Sequence, residues 1–253
     1  MSNMVAADES ASISVWRASL SIIDKPQATF ASLLAFPRLK WLFPASLSVV
    51  ILLVSVWVTA PYSSELAQEV AERQWQSMGL TPEQINEFRD QAEQFISPLF
   101  IGLQGSIIGA IGIVVVWLIM ATLFYFVSII TGAEPTFGGV FLVVTWSYLP
   151  LTLRSLIQTI YIAVTGSFPV YPGLAALQVS GDPLKDGSNP LVALLGFIDP
   201  FWIWHIVLLV IGLAVAARFS NLKAFMIVLI YGILSIGLSA GLTQLGQLFG
   251  AAG

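Results

Sequence analysis

Apolar residues fall in five runs long enough to cross a hydrocarbon core of about 30 Å, which takes ~20 helical residues: 42–60, 98–130, 138–164, 200–217 and 221–247. Polar and charged positions collect between them. This pattern predicts an all-α integral membrane five-helix bundle, with N-terminal interfacial amphipathic helices and an extracytoplasmic helical hairpin. The second run would make on the order of 50 Å of helix, so it must tilt, protrude or start outside the hydrocarbon. Residues 1–41 form a tail in which 12–36 read as two short amphipathic helices, with Val15, Trp16, Leu20, Ile23 and then Phe30, Leu33, Leu34 turned one way. The tetrapeptide Asp24-Lys25-Pro26-Gln27 reads as a helix start: Asp24 is placed to accept from first-turn amides, Pro26 needs no donor there, and Gln27 sits three residues on as a capping partner.

Segment 63–97 is charged and helical, and the stretch from Gly79 to Gln84 breaks it into a hairpin with Thr81 as the second cap. Segment 165–199 is rich in Pro, Gly, Ser and Asp and reads as an ordered loop with a short helix. In it Asn189-Pro190, and then Asp199-Pro200, fit a helix cap followed by the first helical position.

Composition strengthens the membrane assignment, since 57% of residues are hydrophobic and 9% charged, far from the soluble norm of about a quarter charged. A net charge of −4 argues against nucleic acid and against a strongly polybasic surface. With no cysteine there is no disulfide, thiolate metal site, iron–sulfur cluster or Cys nucleophile, and the single histidine, His205, excludes a multi-His metal site from this chain. No metal or other cofactor is expected. A Gly-Lys-Ser/Thr phosphate loop is absent, and no repeat or inverted half marks a secondary transporter.

The first forty residues lack the apolar core of a cleavable signal peptide. Arg17, Lys25, Arg38 and Lys40 precede the first run, and Arg218 and Lys223 flank the turn between the fourth and fifth. Arg73, Arg89, Lys185 and most acidic residues fall on the other side. The bias places the N-terminus in the cytosol and the C-terminus outside.

Arg154, near the middle of the third run, is the strongest anomaly, because a central charge costs about 2.5–3.5 kcal/mol on insertion scales and usually faces the bundle interior or a wet cavity. Ser147, Pro150, Arg154, Gln158 and Tyr161 recur at spacings of three and four, so one face of that helix is polar and kinked. Gln104, Gln158 and His205 each lie about six residues, or ~9 Å, from the outer end of their helices, which predicts one polar layer with Arg154 a turn deeper. Such a layer is either an outward-facing pocket for a lipid headgroup, small solute or carboxylate, or a hydrogen-bond network that fixes helix registry. Glu134 sits in the short cytosolic turn between runs two and three, as a solvated residue or a contact to the basic N-terminal helices. Asp199 reads as a cap, and Pro150 and Pro200 as a kink and a helix start. His205 reads as a satisfied interior group, and its titration range would make it the pH sensor if there is one.

Residues 237–241 match the G-x-S-x-G pattern of serine hydrolases, but a nucleophile elbow needs a strained strand-to-helix turn and this pentapeptide lies inside an apolar helix. Gly237 and Gly241 read instead as a small-residue pair for close helix approach, and Gly102, Gly105, Gly109 and Gly112 line one face of the second run in the same way.

Three stretches together resemble the Yip1-domain family, bacterial type: SIIDKPQATFASLLAFPRLKWLFPASL with Pro26 and Phe30, GGVFLVVTWSYLPLTL with Pro150, and NPLVALLGFIDPFWIWHIVLLVIGLAVAARFSNLKA with Asp199, Phe201, Trp204, Arg218 and Lys223. The resemblance implies a five-helix membrane fold without known catalytic residues. Bacterial members are inner-membrane proteins, some encoded as accessories to ABC transporters; eukaryotic members are linked to Rab GTPases in the ER and Golgi. The Asp-Leu-Tyr-Gly-Pro signature of the eukaryotic proteins is missing, which argues for the bacterial inner membrane over the ER or Golgi and against a small-GTPase partner. Residues and resemblance together predict a non-enzymatic scaffold, adaptor or accessory subunit whose partners are the bilayer and another integral membrane protein or a second copy. The alternative is a small-solute, ion or lipid-headgroup pathway or pocket around Arg154.

Overall fold

The computed structural model describes residues 14–36, 39–168, 173–180, 185–186, 189–196 and 198–233, and among these every regular element is helical. In chain order the helices are α1 (Val15–Asp24), α2 (Pro26–Ala35), α3 (Leu42–Ser77), α4 (Pro82–Ile96), α5 (Pro98–Ile130), α6 (Phe137–Ser147), α7 (Leu149–Thr165), α8 (Pro190–Gly196), α9 (Pro200–Ala217) and α10 (Asn221–Ile233), with a 3-10 turn at Gly173–Leu177. Four apolar helical stretches are long enough to cross a membrane: α3, α5, α6 with α7, and α9. The shorter apolar α10 begins the fifth expected run, whose remainder lies outside the described residues together with Gly237, Gly241 and the G-x-S-x-G stretch. The chain is an all-helical integral membrane protein.

Contacts divide it into two units: Met1–Leu47, Val116–Leu149 and Trp204–Ile233 in the first, Ser48–Val115, Pro150–Ile203 and Leu234–Gly253 in the second. The first holds the large apolar core. Trp117, Trp146, Phe30, Phe124, Leu33, Leu142, Leu208 and Leu213 are all fully buried in it. At its centre Gly212 of α9 has no side chain because there is no room: a Cβ there would meet Val143 Cγ1 at 2.5 Å and the Phe30 ring at 3.0 Å. Lipid tails are as apolar as the side chains, so what such contacts gain is close packing rather than release of water.

α2 therefore behaves differently from the expected interfacial helix. Phe30 and Leu33 point into the core, whereas Trp16, Leu20 and Ile23 of α1 stay exposed, with Ala18 and Ile22 buried on the other face. The expected start signal is also displaced. Asp24 ends α1, Lys25 is the N-cap of α2 without any side-chain bond, and Pro26 takes the first turn. The N–H of Lys25 still bonds the Ser21 carbonyl, so α1 uses up the residue that would have capped its neighbour. Thr29 donates instead across the pair, to Ser21 Oγ at 3.0 Å.

The first apolar run and the first half of the charged segment form one helix, since α3 runs for 36 residues straight through Pro61. One lost backbone bond does not outweigh the helix formers Glu65, Leu66, Ala67 and Gln68 just beyond it. At 1.5 Å per residue α3 is about 54 Å long, so its last turns stand outside any bilayer. There they pair with α4 through stacked Trp75 and Phe88 rings and an Arg89–Glu72 contact of 2.6 Å. Thr81 and Gln84 cap α4 reciprocally, with Pro82 in the first turn. Glu83 accepts from its own backbone amide and from Thr81 there, which holds its carboxyl below the usual range.

Deeper in the same unit, Gly102, Gly105 and Gly109 of α5 face Trp57, Val56 and Leu52 of α3, where a Cβ would lie 2.9–3.0 Å from those side chains. Gly112, expected on that seam, faces open space. The helix interruption around Pro150 falls at Tyr148, between α6 and α7. α9 is followed by Arg218 at φ +54°, a left-handed position that glycine usually takes and that costs another residue about 1–2 kcal/mol.

Two glycine substitutions separate packing from propensity. Gly212→Ala should overpack the first unit and cost about 1–3 kcal/mol. Gly112→Ala should be neutral or stabilising by up to ~1 kcal/mol, because alanine is the better helix former and nothing obstructs it. Thermal unfolding of the two variants in one detergent gives the comparison, and equal losses would contradict the packing assignment.

Candidate functional site

The second unit brings the anomalous charge of the third span to a partner. Arg154 lies on α7, and its Nη1 is 2.7 Å from Oδ2 of Asp199, with 22% and 7% of the two side chains exposed. Asp199 precedes Pro200 at the start of α9, and its other oxygen accepts from the backbone N–H of Phe201 at 2.7 Å and of Trp202 at 2.9 Å. One carboxylate thus caps a helix with Oδ1 and neutralises a guanidinium with Oδ2. The distance is that of an ion pair without hydrogen-bond geometry, so the contact is electrostatic and Oδ2 has no hydrogen-bond donor.

A cavity of about 370 Å³ opens beside this pair, bordered by Gln158 of α7, Leu174 of the 3-10 turn, and Phe201. The turn is fixed over it. Leu174 N–H donates to Ile198 O at 3.2 Å, and Gly173, at φ +64°, lets the backbone approach so closely that a Cβ would meet Ile198 O at 2.7 Å. α8 is opened in the same manner as α9, with Asn189 Oδ1 accepting from Leu191 N–H at 2.9 Å.

The expected polar layer is not gathered into this cavity. Arg154 and Gln158 border it, Gln104 is exposed on α5 away from it, and Tyr161 is 43% exposed. Ser147 and His205 belong to the first unit, where the imidazole Nδ1 lies 2.6 Å from the Ser147 carbonyl. A carbonyl only accepts, so Nδ1 carries the proton and donates, at the point where the helix is interrupted ahead of Pro150. The ring is 4% exposed and meets Tyr148 edge-on at 5.7 Å. Glu134 is exposed, and no basic residue of α1 or α2 pairs with it among the described residues.

Sequence reasoning missed a second polar seam. Ser48 and Thr152 are 2.6 Å apart, Ser55 and Ser155 3.1 Å, and Thr159 donates to Ser55 at 2.6 Å, so hydroxyls join α3 to α7 over several turns. The signal was present as Thr152, Ser155 and Thr159 at spacings of three and four, opposite Ser48 and Ser55 one heptad apart.

The pair invites a double-mutant cycle. Asp199→Asn keeps the α9 cap but leaves Arg154 unneutralised, and should cost about 3–5 kcal/mol. Arg154→Leu leaves the carboxylate with its amides alone and should cost less. In the double variant Arg154→Leu/Asp199→Asn no uncompensated charge remains and the cap persists, so it should recover most of the lost melting temperature. Additive losses would mean that the two side chains do not interact.

No curated protein and no solved structure matches the chain. The family model described as the Yip1 domain matches residues 20–242, which takes in α2 through α10, the Arg154–Asp199 pair and the His205 contact. The chain belongs to the Yip1-domain family.

Proposed function

We propose that this protein is a non-catalytic scaffold or accessory subunit of a membrane complex, working through helix packing. The observation that carries the reading is that the one charge deep in the third span is closed internally: Asp199 neutralises Arg154 while capping α9. A permeation path or proton carrier needs a charge that exchanges partners, and a carboxylate tied to two amides and a guanidinium is poorly suited to that. The partner surface is apolar. Ile107, Ile108, Ile111 and Val115 of α5 are 43–61% exposed, and they offer themselves to lipid or to another transmembrane helix. Similarity to bacterial family members encoded beside ABC transporters favours such a complex as the partner, in the bacterial inner membrane.

A second reading rests on the cavity of about 370 Å³ beside Arg154 and Gln158, which has room for a small anion or headgroup. Purification from native membranes in mild detergent, followed by mass spectrometry, separates the two. The scaffold reading expects a partner at stoichiometric amounts and no solute flux in liposomes. Flux that the folded Arg154→Leu/Asp199→Asn variant abolishes would overturn it in favour of the pathway.

The proposed orientation puts α1, α2 and the α5–α6 turn in the cytosol and α4 outside, in line with the distribution of Arg and Lys. The natural chain has no cysteine, so single introduced ones report cleanly. A membrane-impermeant maleimide should label Asp90→Cys in intact spheroplasts and reach Gln27→Cys only after permeabilisation. The opposite labelling would reverse the topology.

A further inference from the structure

A concavity lies in the first unit, at the rim where α5 and α9 stop and α6 and α10 begin. It is a groove of about 870 Å³ bordered by Leu34, Glu134, Thr136, Arg218, Phe219 and Lys223. One of its cations is held by the protein. Lys223 Nζ donates to Thr131 O at 2.7 Å and sits 4.0 Å above the Phe219 ring, which fixes the ammonium and leaves it further donors. Arg218 is exposed, and among the described residues neither it nor Lys223 has a carboxylate within ion-pair distance.

The backbone supplies an independent argument. Arg218 occupies a left-handed conformation at φ +54°, with Phe219 N–H reaching back to Ala214 O at 2.9 Å, the closing turn in which glycine is the least strained residue. A residue held where its own backbone is disfavoured points to a use for its side chain. The location narrows the ligand. The groove is at the level where apolar spans end, which is where lipid phosphates lie.

We propose that this groove binds a phosphate-bearing headgroup with its own hydrogen-bond donors, Arg218 and Lys223 taking the phosphate and Glu134 the ammonium or hydroxyl. The shared chemistry fits an ethanolamine phospholipid and a soluble phosphoethanolamine alike. Arginine offers a planar fork of donors to phosphate oxygens, lysine a point charge, and two positive side chains beside one negative complement an anionic phosphate joined to a cationic amine.

The test uses the full chain in mild detergent, titrated with phosphatidylethanolamine, phosphatidylcholine or soluble phosphoethanolamine, with bound ligand counted by native mass spectrometry. Phosphatidylethanolamine should be retained over phosphatidylcholine, whose choline has no donor for Glu134. Arg218→Gly and Lys223→Gln should each weaken retention about fivefold, the effect of one cation near a headgroup. Arg218→Gly is the decisive variant, because glycine suits the left-handed turn and the protein should melt no lower than its parent, so lost binding is not lost folding. Saturation by soluble phosphoethanolamine, weakened in Arg218→Gly, supports the site with a soluble source. Equal retention by parent and Arg218→Gly, or equal retention of the two lipids by the parent, overturns the proposal.

Discussion

The carboxylate of Asp199 is the constraint on which the second unit turns. Arg154 has no other anion within reach among the described residues, and the first amides of α9 have no acceptor within their own helix. One side chain meets both needs, so the direction in which α9 starts and the rotamer of Arg154 on α7 are set together. An ion pair alone is weak evidence for stability, since desolvating two charges offsets much of their attraction. Here the carboxylate would be ordered by the helix end in any case, and the guanidinium finds an anion already in place.

The two units are held by different means. Among the described residues the largest fully buried side chains belong to the first, from Phe30 through Trp117 and Trp146 to Leu213. The second relies on close approach at Gly102, Gly105 and Gly109, on the hydroxyl seam from Ser48 to Thr159, and on the Arg154–Asp199 pair. Each such contact is individually modest in lipid, roughly 0.6–2 kcal/mol, because the separated helices also find partners. Specificity of register is what they add, since a hydroxyl pair or a glycine facing a tryptophan ring tolerates no sliding along the helix axis.

Local signals were legible and relational ones were not. Asp199-Pro200, Asn189-Pro190 and the Thr81 box could be read because a cap and the amides it satisfies lie within four residues of each other. Asp24 failed by one position for the same reason: a short-range pattern cannot say whether the preceding helix has already claimed the residue. Phe30 and Leu33 looked interfacial, since sequence periodicity gives a face but not what covers it. Arg154 stood out by its charge, whereas its partner, 45 positions later, had been read only as a cap. Ser48 and Ser55 showed a heptad spacing but not a partner, because a serine in an apolar helix looks the same whether it bonds its own backbone or the next helix.

Arg154 differs electrostatically from Arg218 and Lys223. Arg154 is enclosed, and its interaction with Asp199 is largely sheltered from dissolved salt. Arg218 and Lys223 border an open groove, where a Debye length of about 8 Å at physiological salt limits their reach to groups that come into contact. A positive side chain at the end of a span satisfies the orientation bias wherever along the turn it stands. That bias accounts for the charge of Arg218 but not for its position, because an arginine one residue further along the turn would serve orientation equally and leave the left-handed site to glycine. The strained placement therefore needs a reason specific to that point in space, and the groove that Arg218 borders offers one.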